Sequence, residues 1–105
     1  MKLRIHGAHL RIRTDPAEMR ALAALGCIED RVPLTAERAL VYRLIVAGDV
    51  QTLGVAFEDN VIEVRLPETA ARRWCETDLI DLTGTQRSGP VELRVTLEKD
   101  FDPRD

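Results

Sequence analysis

The chain has 105 residues, 45% of them hydrophobic and 31% charged, which excludes a disordered polymer and fits one domain with a core of its own. Its formal net charge of −3 and isoelectric point near 5.4 argue against a general nucleic-acid binder, because such domains carry a net basic field. No run approaches the roughly 18 apolar residues that a membrane-spanning helix needs.

Residues 2–13, K-L-R-I-H-G-A-H-L-R-I-R, alternate with period two on both sides of Gly7-Ala8. With those two residues as the loop, His6 faces His9, Arg4 faces Arg11 and Leu3 faces Ile12. Glycine in the first loop position suits a type II′ turn. The hairpin then presents Lys2, Arg4, His6, His9, Arg11 and Arg13 on one face and its apolar residues on the other. A slip of one residue would invert both faces. A single strand bent at Gly7 is the alternative.

Asp15-Pro16-Ala17-Glu18 reads as a helix start. Asp15 can accept from first-turn N–H groups, Pro16 needs no donor there, and Glu18 completes a capping box. Met19, Leu22, Ala23 and Leu25 form an apolar stripe, and Gly26 is the expected stop.

Residues 27–34 read as a short strand that Pro33 confines to an edge or terminates. Residues 39–47, A-L-V-Y-R-L-I-V-A, are the most apolar run, with Leu40, Tyr42, Leu44 and Val46 on one face. After a turn at Gly48-Asp49, residues 51–58 place Leu53, Val55 and Phe57 on one face. Asp59-Asn60 suits a two-residue turn, because both tolerate positive φ. Residues 61–66 return with Ile62, Val64 and Leu66 inward, and these three strands are expected to form a meander.

Pro67 opens a second helix that runs to about Glu76, with Ala70, Ala71 and Trp74 as its packing face. Residues 79–82 suggest a brief strand, and Thr83–Pro90 a polar loop. Residues 91–98 alternate, with Val91, Leu93, Val95 and Leu97 inward. Residues 100–105 form a charged tail expected to fray. No internal repeat or linker is visible. The expected fold is α+β: an antiparallel sheet of six to eight short strands with two helices packed on one face.

The candidate site is the basic row Lys2, Arg4, His6, His9, Arg11 and Arg13, which can hold a phosphate-like anion. The competing reading is a solvated sheet face neutralised by neighbouring acids, Glu92 and Glu98 first, and it carries more weight. The chain has thirteen arginines and two lysines. Arginine suits bidentate contact with phosphate, but genome composition is the favoured explanation of the bias, because alanine and arginine are both abundant here.

His6 and His9 are the only histidines, and two imidazoles fall short of the three or four ligands of a metal site. Cys27 and Cys75 read as small core residues rather than nucleophiles or a disulfide. Trp74 beside Arg72 and Arg73 reads as a helix anchor with a wet side. Gly84 and Gly89 make no phosphate-cradling loop. The opening Lys2, Arg4 and His6 replace the alternating acids of triphosphate-tunnel enzymes, which excludes that chemistry. Polar neutral side chains are scarce, with one serine, Ser88, and one asparagine, Asn60.

The opening M-K-L-R-I-H-G, continuing H-L-R-I-R-T, resembles a family of small uncharacterised bacterial proteins that begin M-K-I-R-I-x-G-N-S-I-R-L-R-L. The closing L-E-K-D-F, the strand ending F-E-D, the strand V-R-L-P and the Trp-bearing helix extend the resemblance over nearly the whole chain. It implies a bacterial cytosolic protein and no particular activity. Two departures stand out. Ala8-His9 replaces Asn-Ser, and Asp102-Pro103 stands where relatives carry a cysteine soon after E-K-D-F.

The resulting expectation is a cytoplasmic, non-enzymatic binding or protein-interaction domain with a protein partner or a second copy of itself. The alternative is a module for a nucleotide, phosphate or RNA segment on the basic hairpin. No catalytic residue, cofactor, metal, membrane or DNA partner is expected. A small enzyme using Cys27, Cys75 or the histidines ranks last.

Overall fold

The computed structural model describes residues 1–100, so Phe101–Asp105 of the expected fraying tail lie outside the described residues. Asp100 is held, its N–H donating to the Thr14 carbonyl at 2.7 Å. The elements in chain order are β1 (Lys2–His6), β2 (His9–Thr14), α1 (Pro16–Leu25), β3 (Cys27–Pro33), β4 (Ala39–Ala47), β5 (Gly54–Glu58), β6 (Val61–Pro67), α2 (Glu68–Glu76), β7 (Asp81–Ser88) and β8 (Val91–Lys99).

The fold is α+β, but the strands form two sheets of four, ordered β1-β2-β8-β7 and β3-β4-β6-β5. Each is mixed: its central pair is parallel and its outer pairs antiparallel. This corrects the single antiparallel sheet. Alternation assigns each strand a buried face, but it does not say which strands share a sheet. The meander is corrected too. The β5–β6 turn forms, with Asp59 and Asn60 at φ of 52° and 65°, but β6 lies beside β4 and β5 takes the outer edge.

Local signals decide the rest. Asp15 caps α1, accepting from Glu18 N at 2.8 Å while Glu18 Oε1 accepts from Asp15 N at 2.9 Å. Gly26 ends α1 in the left-handed conformation at φ 75°. Gly7, at φ 57°, forms the β1–β2 turn, and Arg4–Arg11, Leu3–Ile12 and His6–His9 pair as the alternation requires. β3 is an edge strand ending at Pro33, where no ladder donor is needed.

Residues 83–90 are mostly strand, not loop: β7 pairs with β8 through Ser88–Val91. Its inward positions are Leu82, Gly84 and Gln86, too small or too polar to announce a strand. Gly84 is required there, since a Cβ would lie 2.9 Å from Leu53 Cβ. Gln86 clips β7 to the β5 edge. Its amide oxygen accepts from Val55 N at 2.7 Å, and its Nε2 donates to Val55 O at 2.9 Å.

One core unites both sheets and both helices, with Ile12, Leu97, Leu44, Val64, Leu66 and Trp74 fully buried. Trp74 anchors α2, and its indole N–H donates to Ile80 O at 2.9 Å. Phe57 and Val91, expected inward, are exposed, because they stand at strand ends beside turns. Ala23 and Leu25 are also exposed, which narrows the buried side of α1 to Met19 and Leu22.

The order of elements reveals a repeat that the sequence hides. Residues 2–47 and 54–99 each fold as hairpin, helix, hairpin, and each half gives one hairpin to each sheet. The registers correspond. Leu10–Val95 and Ile12–Leu97 match Ile62–Tyr42 and Val64–Leu44. The connecting hydrogen bonds correspond as well: Arg94 N to Ala8 O (2.8 Å) with Val41 N to Asn60 O (2.9 Å), and Lys99 N to Ile80 O (2.9 Å) with Val46 N to Gly26 O (2.8 Å).

Candidate anion-binding face

The outer face of the first sheet carries all six residues of the basic row. β1 supplies Lys2, Arg4 and His6, and β2 supplies Arg13, Arg11 and His9 opposite them. All but half-buried His9 are exposed. The fold adds residues that the sequence reading did not connect to the row. β8 lies beside β2 and sets Arg94 next to His9, Thr96 next to Arg11 and Glu98 next to Arg13. Alternation along 91–98 places these three on one face, but only the strand order brings that face to the hairpin.

The acids divide the face in two. Toward the helix end, Glu98 stands 3.6 Å from Arg11 Nε and 3.4 Å from Arg13 Nη2, and Asp100 stands 3.9 Å from Lys2 Nζ. Glu92, two residues from Arg94 on the same face of β8, is paired instead with Arg87 of the edge strand β7 at 2.6 Å. Toward the turn end, Arg4, His6, His9 and Arg94 have no acid across the strand from them, and among the described residues neither Arg4 nor Arg94 forms an ion pair. An open groove runs between Arg4, His6, His9 and Arg11.

His9 reports the local field. Its Nε2 lies 2.9 Å from the buried Thr96 hydroxyl, which is 3.4 Å from that of Thr83. Loss of hydration around the ring, followed by the positive charge of Arg11, Arg94 and His6, holds its pKa below the usual histidine value.

The second sheet shows the same position solved differently. By register, Glu63 of β6 corresponds to Arg11 of β2. Glu63 pairs with Arg65 at 2.7 Å and with Arg43 at 3.4 Å, and Arg43 also meets Glu29 at 2.9 Å. On that face Arg43 and Arg65 are paired with the sheet's own acids. The first sheet, with arginine where the second has glutamate, pairs Arg11, Arg13 and Arg87 but leaves Arg4 and Arg94 without an ion pair among the described residues.

Other candidate chemistry is not assembled. Cys27 and Cys75 are free thiols, and burial pushes the Cys75 pKa up, away from a reactive thiolate. Among the described residues no group of three or more His, Cys, Asp or Glu side chains is placed to hold a metal ion. No helix of the described residues is long and apolar enough to cross a membrane.

No curated protein and no solved structure matches the chain significantly. A family model does match, over residues 1–103, nearly the full length, and the chain belongs to that family, the family of unknown function DUF7009.

Proposed function

We propose that the protein is a non-enzymatic binding domain whose ligand is a compact anion carrying phosphate or similar groups, held on the outer face of the first sheet. One observation carries this reading: Arg4, Arg11 and Arg94 converge with His6 and His9 at the turn end of a sheet whose β8 acids on this face are already paired, Glu98 with Arg11 and Arg13 and Glu92 with Arg87. Cross-strand arginines repel unless an anion lies between them, and guanidinium groups are suited to grip phosphate oxygens in pairs. The acidic remainder of the chain opposes a long polyanion, which favours a nucleotide, a polyphosphate or a short RNA segment. The free cysteines fit a reducing compartment, and a bacterial cytoplasm is the setting we infer.

The test is thermal melting at low salt with and without nucleotides, polyphosphate and short RNA. A ligand at 100 times its dissociation constant adds about 2.7 kcal/mol of stability. The reading predicts a shift that falls with salt and disappears in an Arg4→Ala/Arg11→Ala variant. No shift with any anion refutes it.

A protein partner is the second reading, favoured by the exposure of Ile5 (60%), Phe57 (64%) and Val91 (58%) at strand ends. Sedimentation across a concentration series, with and without Phe57→Ser, tests that reading through self-association.

A further inference from the structure

The two halves of the chain stand to each other as two subunits would. Neither sheet is complete within one half. The first needs β1 and β2 from residues 2–47 and β7 and β8 from residues 54–99, and the second needs β3 and β4 from the first half and β5 and β6 from the second. The junction inside each sheet is a parallel pair, β2 on β8 and β4 on β6, joined in equivalent registers. A patch that meets its own counterpart in this way is the geometry of an isologous interface. Its central side chains, Ile12, Leu97, Leu44 and Val64, are 0% exposed, the burial of an obligate interface. Only residues 48–53 join the halves, and Leu53 is itself fixed against Gly84, so Gly48–Thr52 is the connecting stretch.

We infer that a second copy of this chain is a partner through this surface: residues 2–47 of one molecule pair with residues 54–99 of another, and reciprocally. The exchanged dimer makes the same hydrogen bonds and buries the same core as the closed monomer. The two forms differ only in the course of Gly48–Thr52. A short tether presents each half to its own partner at an effective concentration of roughly millimolar, so the closed monomer dominates in dilute solution. The length of that stretch therefore selects between the forms.

The test deletes Asp49, Val50 and Gln51 from the full chain. The expected product sediments as a dimer, with the far-ultraviolet circular dichroism and the Trp74 near-ultraviolet signal of the parent. A folded monomer overturns the inference. If the shortened chain does not fold, two further full-length chains decide the matter. Leu10→Asp/Ile12→Asp spoils the first half, and Ile62→Asp/Val64→Asp spoils the second. Refolded together, they can combine one intact half from each chain. Recovery of the Trp74 signal in the mixture, absent from either chain alone, supports exchange between molecules. Failure to recover it overturns the inference.

Discussion

Arg4 and Arg11 face each other across neighbouring strands, and among the described residues only Arg11 of the two reaches a carboxylate, Glu98, at 3.6 Å from its Nε. Like charges placed directly opposite destabilise a sheet, by the 0.2–1 kcal/mol typical of cross-strand pairs. Arg4→Gln is therefore expected to stabilise the protein by about 0.2–1 kcal/mol at low ionic strength. That gain is expected to vanish near 1 M salt, where screening extends over only about 3 Å. Urea unfolding at the two salt concentrations measures both. Stabilisation accompanied by loss of anion-dependent melting is the signature of a residue kept for binding. An unchanged midpoint at low salt shows that the arginines already avoid one another.

Gly84 is placed by its neighbour. A Cβ there would sit 2.9 Å from Leu53 Cβ and 3.2 Å from Leu53 O, and one of those atoms is backbone. Gly84→Ala is expected to cost roughly 1–3 kcal/mol, the usual penalty of overpacking a core that cannot yield. Adding Leu53→Ala should not restore parental stability, because the contact with the Leu53 carbonyl remains. Chemical denaturation of the single and double variants checks this, and a Gly84→Ala chain of parental stability refutes it.

These two sites also show where the sequence was legible. The first hairpin could be read to the residue, because Gly7 fixes the turn and a one-residue slip would expose Leu3, Leu10 and Ile12 together. The capping box at Asp15 and Glu18 and the stop at Gly26 were equally local. β7 was not legible, because Gly84 and Gln86 earn their inward positions from Leu53 and Val55, which lie some thirty residues earlier. The internal repeat was hidden for a related reason. What recurs between the halves is register and side-chain size, and of the six matched positions in β2 and β6 only Arg13 and Arg65 are identical. The basic row was visible as a row. Its division into a neutralised and an open end depends on β8 lying beside β2, a long-range pairing that alternation cannot express.

Gln86 replaces a backbone ladder between the edges of the two sheets. Its side-chain amide answers both the N–H and the carbonyl of Val55, at 2.7 and 2.9 Å. Gln86→Met keeps the length of the side chain and leaves both Val55 groups without a partner. The expected loss is about 1–3 kcal/mol, the cost of an unmet hydrogen bond in a partly buried site. Amide exchange at Val55 should accelerate beyond what the global change in stability explains. Equal acceleration at all core amides would mean that Gln86 contributes only to general stability.

His9 gives the proposal its most direct readout. Lost hydration and the charges of Arg11, Arg94 and His6 lower its pKa in the folded protein relative to the unfolded chain, where a histidine titrates near 6.5. The sign of the effect on stability follows. Above that value both states hold a neutral ring and pH has no effect through this group. As pH falls through it, the unfolded chain takes up a proton that the folded protein resists, and stability declines until the folded ring also titrates. A phosphate bound between Arg4 and Arg11 would reverse the local field, so the pKa of His9 should rise when the anion is present and protein stability should decline less on acidification. Titration of the ring protons by nuclear magnetic resonance, with and without pyrophosphate at fixed ionic strength, measures this. An Arg94→Gln variant without anion should move the pKa of His9 upward by removing one of its repelling charges. If Arg94→Gln raises the value and pyrophosphate does not, the field around His9 is as described and the anion does not bind there.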